Sequence, residues 1–231
     1  AMPHAEDALE KITRSHARAS TLRGRAFFVA WNGVLTMAYE GWTEGVARYK
    51  RALNDPEVGL QEEAHGSKWP KTSLACLRDG DLRTEELNVL RTSCEKFAEA
   101  VKEVRVALNR AKVVVFASRC CERRLSVRTL EIASGNVDNA DASVVSDANR
   151  DTVEDILRAG NAASYIDDVN RPGHRANHYE NGAGVTLVVD CGETIGDLVD
   201  KFRAEVEARL PGRYRWFDTN SLHITIRGLV N

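Results

Sequence analysis

The sequence predicts an α+β fold built as two lobes about a central cleft, and three observations lead there. Strand-like and helix-like stretches follow one another without the continuous βαβα alternation of a parallel sheet. Two strand–helix–strand units share a plan, the first over 26–31, 41–55 and 71–77, the second over 185–191, 193–210 and 222–230. Each unit closes on a strand carrying a basic residue and, two positions later, a hydroxyl. Such an internal duplication predicts lobes related by a pseudo-two-fold axis, with equivalent positions lining the cleft.

The 231 residues are 43% hydrophobic and 29% charged, enough for a sizeable core in one large domain or two small lobes. A formal net charge of −2 excludes the global basic field of a nucleic-acid coat protein and leaves only local basic clusters. Five cysteines (Cys76, Cys94, Cys120, Cys121 and Cys191) lack framework or ligand spacing and read as thiols in a reducing compartment. Cys120 and Cys121 are adjacent and would bridge only with strain. No apolar run approaches the roughly 18 residues of a membrane span. The opening AMPHAEDALEKITRSHARAS is charged and has no secretory apolar core, and Ala1 ahead of Met2 reads as an added residue. A cytoplasmic, or otherwise intracellular, location is expected.

Residues 5–20 read as a short polar helix or arm, so 1–24 is set apart from a single bilobal domain over 25–231. RAFFVAWNGVLTMAY (25–39), rich in β-branched and aromatic residues, predicts a strand or hairpin. A helix over 41–55 stops before Pro56, and KWPKTSLACLRDG (68–80) gives a short strand closed by a turn at Asp79-Gly80. The longest helix is predicted over 83–111, capped by Thr84, with Leu87, Leu90, Cys94, Phe97, Val101, Val104 and Leu108 at helical spacing. Strands are expected at 112–118 and 126–134. The Asp/Asn-rich stretch 135–151 reads as a linker, since it lacks the ligand spacing and closing Glu of an EF-hand loop. A helix near 152–160 ends at Gly160, and 167–184 is a long polar loop. A strand (185–191), a helix (193–210), a strand (213–218) and a last strand (222–230) complete the chain.

The last strand, SLHITIRGLV, contains H-x-T-x-x-x-L. Residues two apart on a strand share a face about 7 Å apart. His223 and Thr225 therefore point one way, while Ile224 and Ile226 point into a core. A histidine moves a proton near neutral pH, and a neighbouring hydroxyl holds an anionic oxygen. Alone, the pattern is more often that of an ordinary structural strand. The counterpart strand KTSLACL repeats it as K-x-S-x-x-x-L, with Lys71, Ser73 and Ala75 on one face and Thr72, Leu74 and Cys76 on the other. Two matched strands in two matched units are a stronger signal than either alone. By the same alternation Arg227 shares the face of His223 and Thr225 and is a candidate phosphate contact.

On these residues the chain resembles the two-histidine phosphoesterase superfamily, which includes RNA ligase-like and cyclic-nucleotide phosphodiesterase members. RAFFVAW is similar to that family's first strand, SLHITIRGL to its second motif, and KWPKTSLACLRDG falls where the first motif should lie. The resemblance covers roughly 25–231. It implies two lobes of antiparallel strands flanked by helices, each lobe contributing an H-x-[ST] motif to a central groove. It also implies that His223 is the general acid or base and that Thr225 and Ser73 grip the phosphate. Lys71 departs from the pattern by standing where the family has its first histidine. With a reference pKa near 10.4 it is a cation at neutral pH unless desolvated, so it acts on phosphate charge or, with its pKa lowered, as an acid.

Further candidates lie outside the two strands. Trp69 and Trp216 are positioned either to stack a base or to pack against core strands. His174, Arg175, His178 and Tyr179, with Arg171, make the loop 167–184 a candidate lid supplying cationic and stacking groups; the alternative is a solvated loop. His65 is a displaced-histidine candidate or a solvated one. RCCERRLSVR, with Arg119, Arg123, Arg124 and Arg128, is either a phosphate contact or a solvated hairpin tip. No P-loop, GxGxxG, HExxH or GxSxG occurs, and the chemistry needs no metal and no cofactor. The expected function is a hydrolase, a phosphodiesterase acting on a nucleotide 2′,3′-cyclic phosphate or an RNA end, with that terminal phosphate as its partner and no membrane. The alternatives are a catalytically degenerate phosphate-, nucleotide- or RNA-binding protein on the same fold, and an interaction domain in which both motifs are ordinary strands.

Overall fold

The computed structural model describes residues 2–63, 65–78, 80–133, 142–171, 178–179 and 182–230, with backbone alone for 2–7 and 65. The chain begins with α1 (Met2–His16), β1 (Ser20–Val29), β2 (Leu35–Tyr39), α2 (Glu44–Leu53) and β3 (Lys71–Leu77). It continues through α3 (Thr84–Lys96), α4 (Ala98–Lys102), β4 (Arg105–Leu108), β5 (Arg110–Phe116) and β6 (Arg124–Glu131). It ends with α5 (Asp147–Gly160), α6 (Tyr165–Val169), β7 (Gly184–Asp190), α7 (Gly192–Arg209), β8 (Tyr214–Trp216) and β9 (His223–Val230).

The expected hairpin forms at β1–β2, where Asn32 and Gly33 take the left-handed backbone (φ 58° and 73°) that reverses the chain. Two sheets result, a five-stranded one of order β4-β1-β2-β3-β8 and a four-stranded one of order β6-β5-β7-β9. Every strand pair in both is antiparallel. The protein is thus mixed α+β with two antiparallel sheets. The sheets adjoin along β3 and β9, and the Thr72 hydroxyl meets the Cys191 thiol at 3.3 Å beneath that seam. One large core, with two small clusters beside it, fills the interior: Phe202 of α7 stacks on Phe27 of β1 at 4.3 Å, and Phe97 meets Phe202 edge-on at 5.6 Å. Among the described residues no helix is long and apolar enough to cross a membrane.

Several expectations are corrected. The helix predicted over 83–111 ends at Lys96, a second short helix ends at Lys102, and Arg105–Leu108 is a strand. Val106 and Leu108 are buried while Arg105 and Ala107 are exposed, so the apolar period has changed from helical to twofold. Pairing along the outer edge of β1 decides the matter, a long-range ladder overriding local propensity. The longest helix among the described residues is α7. Thr84 is the first helical residue rather than the cap; the Glu86 carboxylate accepts from the Arg83 backbone N–H at 2.8 Å. β5 and β6 each begin two residues before the expected strands, and the strand that leads into α2 and pairs with β3 is β2 rather than 26–31. The expected arm boundary at 24 falls inside β1, and α1 packs on the domain through Leu9 and a 2.6 Å contact between the Thr13 and Tyr49 hydroxyls, with Ala17 buried just after it. Of the expected linker 135–151, residues 134–141 lie outside the described residues; Val145 pairs with Thr43, and α5 starts at Asp147 under a Ser146 cap.

Candidate active site

Alternation on β3 leaves Lys71 and Ser73 half-buried, with Thr72 and Leu74 wholly inside. On β9 it does the same for His223 and Thr225 against Ile224 and Ile226. Because β3 and β9 adjoin, all four polar residues line one cavity of about 310 Å³. His178 lines it as well, its ring 5.8 Å from Phe217. Arg119 stands exposed at the rim. Among the described residues the lining thus holds four basic side chains and no carboxylate, together with the hydroxyls of Ser73 and Thr225, which have no hydrogen-bond partner there. The volume suits a small ligand, and the charge suits an anion.

His223 has a fixed tautomer. Its Nδ1 lies 2.7 Å from the Ser221 carbonyl, which only accepts, so Nδ1 carries the proton and Nε2 keeps its lone pair. Cys121 Sγ is 3.9 Å from that Nε2, on a residue held at φ 59° in the left-handed region. Burial holds the imidazole below its ordinary value, the Ser221 carbonyl opposing that and the Arg124 charge adding to it. Asp190, the cross-strand partner of His223, is clamped by Arg124 (2.8 and 3.1 Å) and Lys112 (2.6 Å). The histidine is therefore neutral at pH 7 and shaped as a base.

Lys71 faces it from the other sheet. Its Nζ donates to the Gly66 carbonyl and lies 4.3 Å from the Trp69 ring centroid. Burial, reinforced by the neighbouring Lys50 charge, pushes the ammonium down to about 7. Lys50 rises from α2, and its Nζ donates to the Glu63 carboxylate, to the Ser67 carbonyl at 3.0 Å and to the Ile226 carbonyl at 2.5 Å.

Other predicted residues fall elsewhere. β9 bulges at Ile226: Thr225 pairs with Val188 but Arg227 with Leu187, so two residues of β9 oppose one of β7. The bulge turns Arg227 away from the cavity, leaves it 2% exposed and gives Gly228 the lining position. Arg227 donates to the Gln61 carbonyl instead of contacting a phosphate. Trp69 is 3% exposed, packed with Phe28, Ala38 and Val153, and supports Lys71 in place of presenting a stacking face in this cavity. Trp216 donates to Glu207 at 2.7 Å. Tyr179 lies under Arg215 (4.5 Å) and does not line the cavity. Arg175, His174 and the His65 side chain lie outside the described residues.

Sequence reasoning undervalued the RCCERR turn, which brings Arg119 and Cys120 to the cavity and Cys121 to His223; its density of arginine was the available signal. Lys50 and Asp190 gave no local signal, since their roles arise from tertiary contacts. A larger cavity, about 370 Å³, opens between β1, α3 and α5, but there Arg25 already pairs with Glu154 (2.5 Å) and Arg158 with Asp155 (2.7 Å). Among the described residues no group of three or more His, Cys, Asp or Glu is placed to hold a metal ion. Comparison with known proteins found no matching family model, curated protein or solved structure.

Proposed function

We propose that the protein is a phosphodiesterase of the two-histidine type, hydrolysing a nucleotide 2′,3′-cyclic phosphate or a cyclic-phosphate RNA end by side-chain acid–base catalysis. The observation that carries the reading is the cavity itself: a base, a low-pKa amine and two hydroxyls, unpaired among the described residues, in a lining where the described residues include no carboxylate. The topology supports it. In each sheet a strand, a helix and the motif strand follow in order, β2-α2-β3 and β7-α7-β9 with β8 intervening in the second, and β2 and β7 each pair with the motif strand, while the edge strands β4 and β6 enter at different points of the chain.

In this reading His223 Nε2 takes a proton from water as the water oxygen bonds to phosphorus. The phosphorus–ribose oxygen bond breaks, and the Lys71 ammonium protonates the departing oxygen. Ser73 and Thr225 donate to the non-bridging oxygens, and Arg119 offsets their charge. Lysine in the place of a histidine favours a second reading, a phosphate- or RNA-end-binding protein with lost turnover. Incubation with 2′,3′-cyclic nucleotides and short cyclic-phosphate RNAs separates the two. We expect wild-type turnover and a fall of about 10²–10⁴-fold in His223→Ala. Equal turnover by both proteins would overturn the catalytic role of His223, and binding without turnover would establish the second reading.

A further inference from the structure

The turn His65–Ser67 presents two consecutive carbonyls to two different lysines, Gly66 to Lys71 and Ser67 to Lys50. Two amines are thereby held on one turn, Lys71 lining the cavity and Lys50 outside its lining, and their bonding is unequal. Lys50 Nζ faces three acceptors, the Glu63 carboxylate and the Ser67 and Ile226 carbonyls. Each acceptor needs a proton, so all three ammonium protons are committed and Lys50 is charged. Among the described residues Lys71 Nζ has one acceptor, the Gly66 carbonyl, and rests on the face of Trp69. One N–H satisfies that acceptor, so Lys71 keeps its bonding in either protonation state.

We propose that Lys50 is a positioning residue for Lys71, a buried cation locked onto the same turn whose charge favours the neutral form of the Lys71 amine. The role deepens the phosphodiesterase reading, because it equips a lysine for the position of a histidine. A lysine next to a second cation in a desolvated site is a general way to obtain a reactive amine. Burial of Lys71 acts in the same direction as Lys50. The other groups on the two lysines are Glu63, which counters Lys50; Arg227 from β9, which adds positive charge near Lys50; and His178, Arg119 and His223, which line the same cavity. Lys50 is the one locked in contact with the same turn. Its bond to the carbonyl of the bulged Ile226 also fixes the stretch of β9 between Thr225 and Gly228.

The test reads Lys71 directly, without substrate. Acetylation of the intact protein by trace acetic anhydride, followed site by site with mass spectrometry across pH, reports the neutral fraction of Lys71. In Lys50→Met the midpoint is expected to move up by about one pH unit or more, and in Lys50→Arg to stay near the wild-type value. Glu63→Gln, which strips the counter-charge from Lys50, is expected to move it down, and this variant carries the test if Lys50→Met fails to fold. An unchanged midpoint in folded Lys50→Met, or an upward shift in Glu63→Gln, overturns the proposal. The same proteins assayed on 2′,3′-cyclic nucleotides separate the two readings. An alkaline limb that moves with the midpoint supports both, while a shifted midpoint in a protein without turnover upholds the lysine pair and overturns the phosphodiesterase.

Discussion

At the scale of single residues the site depends on two groups whose protonation is set against their ordinary values. His223 is neutral above a pKa held below 6.5, and Lys71 is protonated below about 7. In the proposed reaction, with His223 as base and Lys71 as acid, the two are together in their working forms only in a narrow window around the neutral to slightly acidic range. The pH profile of kcat/KM is therefore expected to be bell-shaped, its acid limb reporting His223 and its alkaline limb falling near pH 7. A rate that keeps rising to about pH 9 would remove Lys71 from the role of acid. Lys71, Ser73, His223 and Thr225 were legible in the sequence because alternation places them without knowledge of the rest of the fold. Arg227 was not, because a single bulge reverses its face and no local residue announces the bulge. Lys50 was not, because it acts from a helix on a strand of the other sheet.

At the scale of elements, the histidine is aimed by the packing of α7 against the turn that leads into β9. Gly192 opens α7 so close to Thr219 that an added Cβ would lie 1.9 Å from the Thr219 carbonyl oxygen. That turn, Thr219–Ser221, carries the carbonyl that fixes the His223 tautomer. Gly192→Ala is expected to cost about 1–3 kcal/mol in denaturant unfolding and to lower kcat by displacing Ser221. Wild-type stability together with wild-type kcat would show that the approach is not needed. The same dependence on distant packing explains what the sequence concealed about the elements. From Leu87 to Val101 the spacing is helical and the helices are real, but Val106 and Leu108 fit a helix and a strand equally well until β1 supplies a partner. Strands β7 and β9 and helix α7 were readable almost to the residue, because each has a long, uninterrupted pattern.

At the scale of the whole molecule, the fold tolerates a surplus of buried positive charge at the seam of its two sheets, with Lys50, Lys71 and Arg227 near the Glu63 carboxylate. The sign of the resulting pH dependence follows from linkage. Lys71 titrates at about 7 in the folded protein and near 10.4 in the unfolded chain. Between those values the unfolded chain binds a proton that the folded one does not, so stability rises with pH across that window; below about 7 both states are charged and the full cost is present. Lys50, also lowered, acts in the same sense in the alkaline range. Glu63, Glu154 and Asp190 are held below the usual carboxylate range, so their contribution is complete above about pH 4 and is lost as the pH falls further. Maximal stability is therefore expected on the alkaline side, with Tm level near pH 6 and rising between about pH 7 and pH 10. Lys71→Met, which removes the desolvated cation but keeps its bulk over Trp69, is expected to raise Tm at about pH 6, to flatten that rise and to abolish turnover, the exchange of activity for stability that a strained site implies. Calorimetry of the two proteins from about pH 6 to about pH 10 decides it: a lower Tm for the variant at about pH 6, or an unchanged slope, would mean that the seam does not hold Lys71 at an energetic cost.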